Sequence, residues 1–185
     1  FDQANRPFAL YIHWPFCRAK CPYCDFNSHV SNGVDTKIFG DALCTEMTHM
    51  ASLMPTRPPL SSLFFGGGTP SLMPPLLVER LIQHAEDLFG FTGDIEITAE
   101  ANPSSVEAEA MLGFQKAGVN RVSMGVQSLD DASLKFLGRE HSAADALQAL
   151  NKINKAFDRV SIDLIYALPS QSQKTWQVML GQALS

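Results

Sequence analysis

The sequence predicts an α/β protein built on a parallel sheet. Short apolar runs alternate five times with longer stretches whose apolar residues recur at helical spacing, over 185 residues. Enough chain separates consecutive runs for the crossover helix that parallel strands require. Three cysteines, a glycine run, Glu100 and Gln127 stand at the ends of these runs and Asp163 lies in the last. That is where α/β folds gather functional groups. Five units are too few for a closed eight-fold barrel, which takes about 250 residues.

The first strand is Phe8–Trp14, followed by a cysteine-bearing segment. Ile38, Phe39, Ala42, Leu43, Met47, Met50 and Met54 form an apolar stripe that predicts a helix over Val34–Leu53, closed by Pro55, Pro58 and Pro59. Cys44 lies in that helix and reads as core packing. Leu60–Phe65 is the second strand and runs into Gly66-Gly67-Gly68-Thr69-Pro70. Pro74 and Pro75 suit a helix start, and the second helix covers Leu76–Phe89. Gly90 and Gly93 mark the turn to the third strand, Asp94–Ala99, which ends at Glu100. Ser104 with Glu107 predicts a capping box, and Gly118 suits the left-handed position beyond the helix end. Val119–Val126 is the fourth strand, with Gln127 at its end. Helical stretches at Asp131–Leu137 and Ser142–Phe157 lead to the fifth strand, Val160–Tyr166. An amphipathic helix over Gln173–Leu184 follows.

Composition is that of a globular domain, 45% hydrophobic and 18% charged. A net charge of −5 argues against a nucleic-acid partner, because such binding depends on Lys and Arg neutralising phosphates. No apolar run approaches the ~20 residues of a membrane span, and no secretory signal is expected from these residues. Three of the four cysteines share one short loop, which suggests a metal rather than disulfides and hence a reducing compartment. We expect a cytoplasmic protein, with peripheral membrane association left open. The chain begins with Phe1 rather than Met, so upstream residues are expected to have been removed.

Cys17, Cys21 and Cys24 follow a C-x3-C-x2-C spacing. Converging thiolates suit zinc or an iron–sulfur cluster. Zinc loops favour C-x2-C pairs and four protein ligands, and a redox C-x2-C pair leaves the C-x3 step unexplained. A cluster with one open iron is the preferred reading, and zinc completed by a distant histidine is the alternative. Three successive glycines cost backbone entropy. They suit a main chain that must approach a ligand and offer its N–H groups, though a plain tight turn is the simpler use. Glu100 reads equally well as a solvated strand end. Asp163 stands inside an apolar strand, where a carboxylate is costly unless paired.

The cysteine spacing after a first strand, with Tyr23 before the last cysteine, resembles the radical S-adenosylmethionine (SAM) superfamily. Tyr11-Ile12-His13-Trp14-Pro15-Phe16-Cys17, Gly66-Gly67-Gly68-Thr69-Pro70 and Gly125-Val126-Gln127-Ser128 narrow the likeness. They resemble oxygen-independent coproporphyrinogen III oxidases and HemW-type heme chaperones, over nearly the whole chain. The resemblance implies a partial, three-quarter parallel βα barrel of six units. Five are present, so the sixth unit and a C-terminal domain are expected to be missing from residues 1–185. It implies a 4Fe–4S cluster on Cys17, Cys21 and Cys24, with SAM on the fourth iron and an electron donor that reduces the cluster. One electron passed into the sulfonium would give methionine and a 5′-deoxyadenosyl radical. By motif match, Gly67, Gly68, Thr69 and Glu100 contact SAM. Gln127, Arg139 and Asp163 lie around the SAM sites, and Tyr11 and Tyr23 flank the cluster.

The resembled oxidases carry a further cysteine two residues after the third. Here that position is Phe26, within Cys24-Asp25-Phe26-Asn27-Ser28. This departure points to the chaperones, which are thought to bind heme and deliver it to respiratory hemoproteins without oxidase activity. Oxidative decarboxylation of the coproporphyrinogen propionates is the alternative, and a zinc-stabilised barrel a weaker one. No heme ligand is assigned. His13 reads as structural, and His29 is the most plausible functional histidine by position. The family's His-Asn-x-x-Tyr-Trp segment is not in this chain.

Overall fold

The computed structural model describes residues 8–31 and 33–184. A five-stranded sheet forms the frame: β1 (Phe8–Trp14), β4 (Leu60–Gly67), β5 (Phe91–Ala101), β6 (Arg121–Gln127) and β7 (Arg159–Leu164). Each strand lies parallel to the next and spatial order follows chain order. Between β1 and β4 come the two-residue strands β2 (Phe16–Cys17) and β3 (His29–Val30), then α1 (Thr36–Leu53). The later crossovers carry α2 (Pro75–Phe89), α3 (Ser105–Lys116), and α4 (Asp131–Phe136) with α5 (Ala143–Ile153). The last helix, α6 (Gln173–Ala183), follows β7. β1 and β7 are the two edges, so the sheet stays open.

The expected strands and helices all form, with shifted ends. β5 begins at Phe91 and takes in Gly93, because the register slips between Leu60 and Ser62 and lets Phe91 pair with Leu60. Gly90, at φ +69°, makes the turn alone. α5 stops at Ile153 rather than Phe157: the chain tightens there, and the Ala156 N–H takes an i−3 bond to the Ile153 carbonyl at 2.9 Å. β7 ends at Leu164, and the Ile165 N–H bonds the Gln127 carbonyl at 2.9 Å. Beyond Lys116, Gly118 and Val119 donate to the carbonyls of Gln115 and Phe114 at 3.1 and 3.0 Å, closing a Schellman motif with Gly118 at φ +109°.

The capping box expected at Ser104 forms only by half. Ser104 Oγ accepts the Glu107 N–H at 3.2 Å, but the Glu107 carboxylate turns away from the cap. A full box forms instead between Ser142 and Asp145 at the start of α5.

One sheet face packs under the helices. Trp14, Leu63, Phe65, Ile97, Ala99, Val122, Met124 and Val126 supply it, with Val78, Leu81, Met111, Phe114 and Ile153 from the helices. Cys44 is buried in that core, as its place on an apolar stripe predicts. On the other face the alternate residues of β5 to β7 are polar: Glu96, Thr98, Glu100, Arg121, Ser123, Arg159, Ser161 and Asp163. Parallel sheets are usually covered on both faces. Here the exit end of the polar face, at Glu100, Ser123 and Asp163, lines an open cavity.

Candidate functional site

The cysteine loop is built on the first core strand. Ile12 and Trp14 are buried, and the opposite face carries Tyr11 and His13. Phe16 and Phe39 pack edge-on against Trp14, with ring centroids 5.1 and 5.4 Å away. The chain then crosses 18–28 and returns. His29 N–H bonds the Pro15 carbonyl at 2.7 Å and Ser31 N–H the Cys17 carbonyl at 3.1 Å, pairing β2 with β3. This small ribbon has no counterpart in the sequence reading, since two-residue strands leave no periodicity.

The glycine run is laid directly on this loop. Gly68 N–H donates to the Trp14 carbonyl at 2.6 Å and Thr69 N–H to the Phe16 carbonyl at 2.9 Å. A Cβ at Gly68 would stand 2.7 Å from the Phe16 carbonyl oxygen and 2.9 Å from Cys17 Sγ. Close approach of two backbones therefore explains this glycine, beyond any need of a turn.

Cys17, Cys21 and Cys24 line one cavity of about 700 Å³ together with Tyr23, Gly68, Thr69, Glu100, Gln127, Arg139 and Asp163. The structure thus brings together ten of the twelve expected site residues. Gly67 lies just behind the wall and donates its N–H to Glu100 Oε2 at 3.2 Å. Tyr11 stands apart from the lining, 54% exposed, with its hydroxyl on His13 Nδ1 at 3.1 Å. His13 Nε2 meets the Asn27 carbonyl at 2.9 Å. A carbonyl only accepts, so Nε2 carries a proton and both ring nitrogens are engaged. His141 lines the cavity but is buried, its Nε2–H donating to the Val126 carbonyl at 3.2 Å. His84 is tied to the Cys44 carbonyl on the outer face at 3.1 Å. His29 is exposed on the ribbon.

Arg139, which alone reads as an ordinary surface arginine, is wedged between elements. Its Nη1 donates to Cys21 Sγ at 3.4 Å and Tyr23 Oη at 3.5 Å. Nη2 donates to Asn102 Oδ1 at 2.6 Å and the Gly125 carbonyl at 2.9 Å. Its Nε is buried without a partner. Asn102 was not foreseen, because an Asn before Pro103 reads as a turn residue. Asp163 ends a polar column. Arg121 Nη2 donates to Ser161 Oγ at 3.0 Å, Ser161 Oγ to Ser123 Oγ at 3.2 Å, and Ser123 Oγ to Asp163 Oδ2 at 3.5 Å. Gln127 adopts φ +67°, a left-handed conformation costly for a side-chain-bearing residue and one that collects at functional sites.

Burial dominates the electrostatics. It raises the Glu100 carboxyl, opposed by the Gly67 N–H and His13 and reinforced by Asp163. It raises Asp163, opposed by Ser123 and Arg121. It also raises the Tyr23 phenol, which Arg139 pulls back and Cys21 pushes further up. His141 is lowered by burial and then by Arg139. Two carboxyls raised mainly by burial in one cavity mark a candidate functional site.

Among the described residues no three His, Cys, Asp or Glu side chains are placed to share one metal ion. A cubane binds each thiolate at a different iron, so its cysteines need not reach one point.

A family profile described as the radical SAM superfamily matches residues 11–183. The chain belongs to the radical SAM superfamily. It is 41% identical over 184 residues to the mouse "Radical S-adenosyl methionine domain-containing protein 1, mitochondrial", covering 99% of this chain and 41% of that protein. It is 40% identical over 180 residues to the Escherichia coli K12 protein named "Heme chaperone HemW", covering 96% and 47%. Among solved structures, the coproporphyrinogen III oxidase HemN of Escherichia coli, described as a radical SAM enzyme, superposes with a TM-score of 0.83. Identity there is 33%, over 96% of this chain and 41% of that one. The five-stranded parallel sheet thus matches the partial barrel of HemN. The chain spans less than half the length of these relatives. Membership implies SAM and a 4Fe–4S cluster. No described helix is long and apolar enough to cross a membrane.

Proposed function

We propose that this chain is the core of a heme chaperone. It holds a 4Fe–4S cluster on Cys17, Cys21 and Cys24, binds SAM beside it, binds heme and passes it to respiratory hemoproteins. The observation that carries this reading is Phe26. It lies on the cavity wall, 56% exposed, where the resembled oxidases place a further cysteine. The names of the bacterial relatives support the same reading.

The residues present fit the two cofactors. Three thiols share one cavity wall, and the glycine loop is packed against the loop that bears them. Cys17, Cys21 and Cys24 would hold three irons and leave the fourth open. When bound, the cluster supplies one-electron reducing chemistry to the SAM sulfonium. Gly68 and Thr69 present backbone beside that position, and Glu100 fixes the neighbouring Gly67 N–H. Gln127 and Asp163 line the same cavity from the ends of β6 and β7, where a second SAM or the heme edge would lie, and Arg139 stands against the cysteine loop. Tyr23 and Arg139 meet beside the cysteine loop, and Tyr11 holds His13, whose Nε2 donates to the Asn27 carbonyl. An electron donor is a further partner. The compartment in this reading is a reducing one, the cytoplasm in a bacterial host, whereas the mouse relative is named mitochondrial.

Coproporphyrinogen III oxidation is the second reading, favoured by the close superposition on HemN. One experiment separates them. The full-length protein is reconstituted anaerobically with iron and sulfide, then given SAM, a reductant and coproporphyrinogen III. The chaperone reading expects no protoporphyrinogen IX beside an active control oxidase, and saturable heme binding by absorbance titration. Product formation would make the protein an oxidase.

A further inference from the structure

One buried carboxylate near the site has no role in the reading above. Glu107, 7% exposed, sits in the first turn of α3 with its side chain turned toward the cavity wall. Three donors meet it. Ser71 Oγ, just past the glycine run, donates to Oε2. Asn102 donates its backbone N–H to Oε2 at 2.7 Å and its Nδ2 to Oε1 at 3.3 Å. This settles the Asn102 amide. With Nδ2 on a carboxylate, Oδ1 must face the other way, and there it accepts Arg139 Nη2 at 2.6 Å. A flipped amide would set oxygen against carboxylate and NH₂ against guanidinium. The same guanidinium then places Nη1 on Cys21 Sγ at 3.4 Å. A continuous line of hydrogen bonds therefore runs from Glu107 through Asn102 and Arg139 to one of the three cysteines.

We propose that Glu107 is a positioning residue that, through Asn102, aims the Arg139 guanidinium at Cys21 and so raises the reduction potential of the cluster. The inference rests on Cys21 being a cluster ligand. A cation donating N–H to a thiolate stabilises the state carrying the extra electron, and partners of this kind tune clusters. Arg139 alone could swing into the open cavity. Its fork is held by Asn102 Oδ1 at 2.6 Å, the Gly125 carbonyl at 2.9 Å and Tyr23 Oη at 3.5 Å, and Asn102 makes the shortest of these contacts.

The test is an EPR-monitored redox titration of the reconstituted full-length protein without SAM. The variants are Glu107→Gln, Asn102→Ala and the double variant. Asn102 is only half-buried, so Asn102→Ala keeps the test alive should the buried Glu107→Gln fold poorly. Each single variant is expected to disfavour the reduced cluster about tenfold, which for a one-electron couple is about 59 mV more negative. The double variant should shift no further than Asn102→Ala alone, because the two act in one line. Ser71→Ala breaks a contact of Glu107 outside that line and should leave the potential at the wild-type value. Unchanged potentials in both single variants with full iron and sulfide, or additive shifts in the double, would overturn the proposal. Failure of wild type itself to assemble a cluster would instead refute the cofactor assignment.

Discussion

Gly67 and Glu100 join the ends of two neighbouring strands. The Gly67 N–H donates to Glu100 Oε2 at 3.2 Å, tying the exit of β4 to the exit of β5. Gly67 does this at φ +114°, with its Cα facing the His13 ring and the Trp14 carbonyl. An added Cβ would meet His13 at 2.6 Å and the Trp14 oxygen at 2.9 Å. Gly67→Ala should cost about 1–3 kcal/mol from the backbone alone, with the clash added. Gly93→Ala is the control, because nothing lies within 4 Å of its Cβ position. Urea denaturation of both checks this, and equal midpoints would refute it.

The same pair predicts a pH dependence. Burial, with Asp163 adding to it, holds the Glu100 carboxyl above its ordinary 4.5, and burial holds Asp163 above its ordinary 3.8. A carboxyl raised in the folded state binds its proton more tightly there than when unfolded. Its stabilisation is complete below the unfolded value and is lost as pH rises through the folded one. Asp41, Asp130 and Asp145 shift the other way, so the quantity to compare is the difference from wild type. Glu100→Gln, which can still accept the Gly67 N–H, should melt above wild type at about pH 7. The gap should close toward about pH 4. A gap independent of pH would contradict the assignment.

The cysteines divide three to one. Cys17, Cys21 and Cys24 face the cavity, whereas Cys44 is buried between α1 and α2 with its thiol raised by that burial. Replacing any of the first three with Ala should abolish the brown chromophore after anaerobic reconstitution, with far-UV circular dichroism unchanged. Cys44→Ala should keep full iron and sulfide and lose about 1 kcal/mol of stability. A cavity-facing variant that retains wild-type iron would sink the cluster assignment.

How much of this was legible in the sequence depends on whether a feature is periodic. The five sheet strands and their crossover helices leave a pattern of two or 3.6, and each was read within a few residues. The β2–β3 ribbon is two residues wide and left none. Among the residues named from motifs, all but Tyr11 and Gly67 line one cavity. Asn102 and the turned Glu107 were missed for a different reason. Ser104-x-x-Glu107 predicts a reciprocal cap, and the Ser104 half forms, yet the carboxylate finds Ser71 and Asn102 instead. Those partners lie on other elements, and local spacing carries no information about them.

Trp14 links the core to the site, and it gives the last prediction. Its ring is 1% exposed and packs edge-on against Phe16 and Phe39, while its carbonyl accepts the Gly68 N–H at 2.6 Å. Truncation to Ala should cost about 3–5 kcal/mol. Its Nε1 is buried without a partner, which is a standing cost to the folded state. Trp14→Phe removes that unpaired group and keeps a ring against both neighbours, so it should cost well under half as much as Trp14→Ala. Because the strand carrying Trp14 also anchors the cysteine loop, Trp14→Ala should expose residues 17–28 to limited proteolysis in conditions where Trp14→Phe resists. Equal losses in the two variants would mean that the indole nitrogen is satisfied after all, and that ring volume alone does not hold the loop.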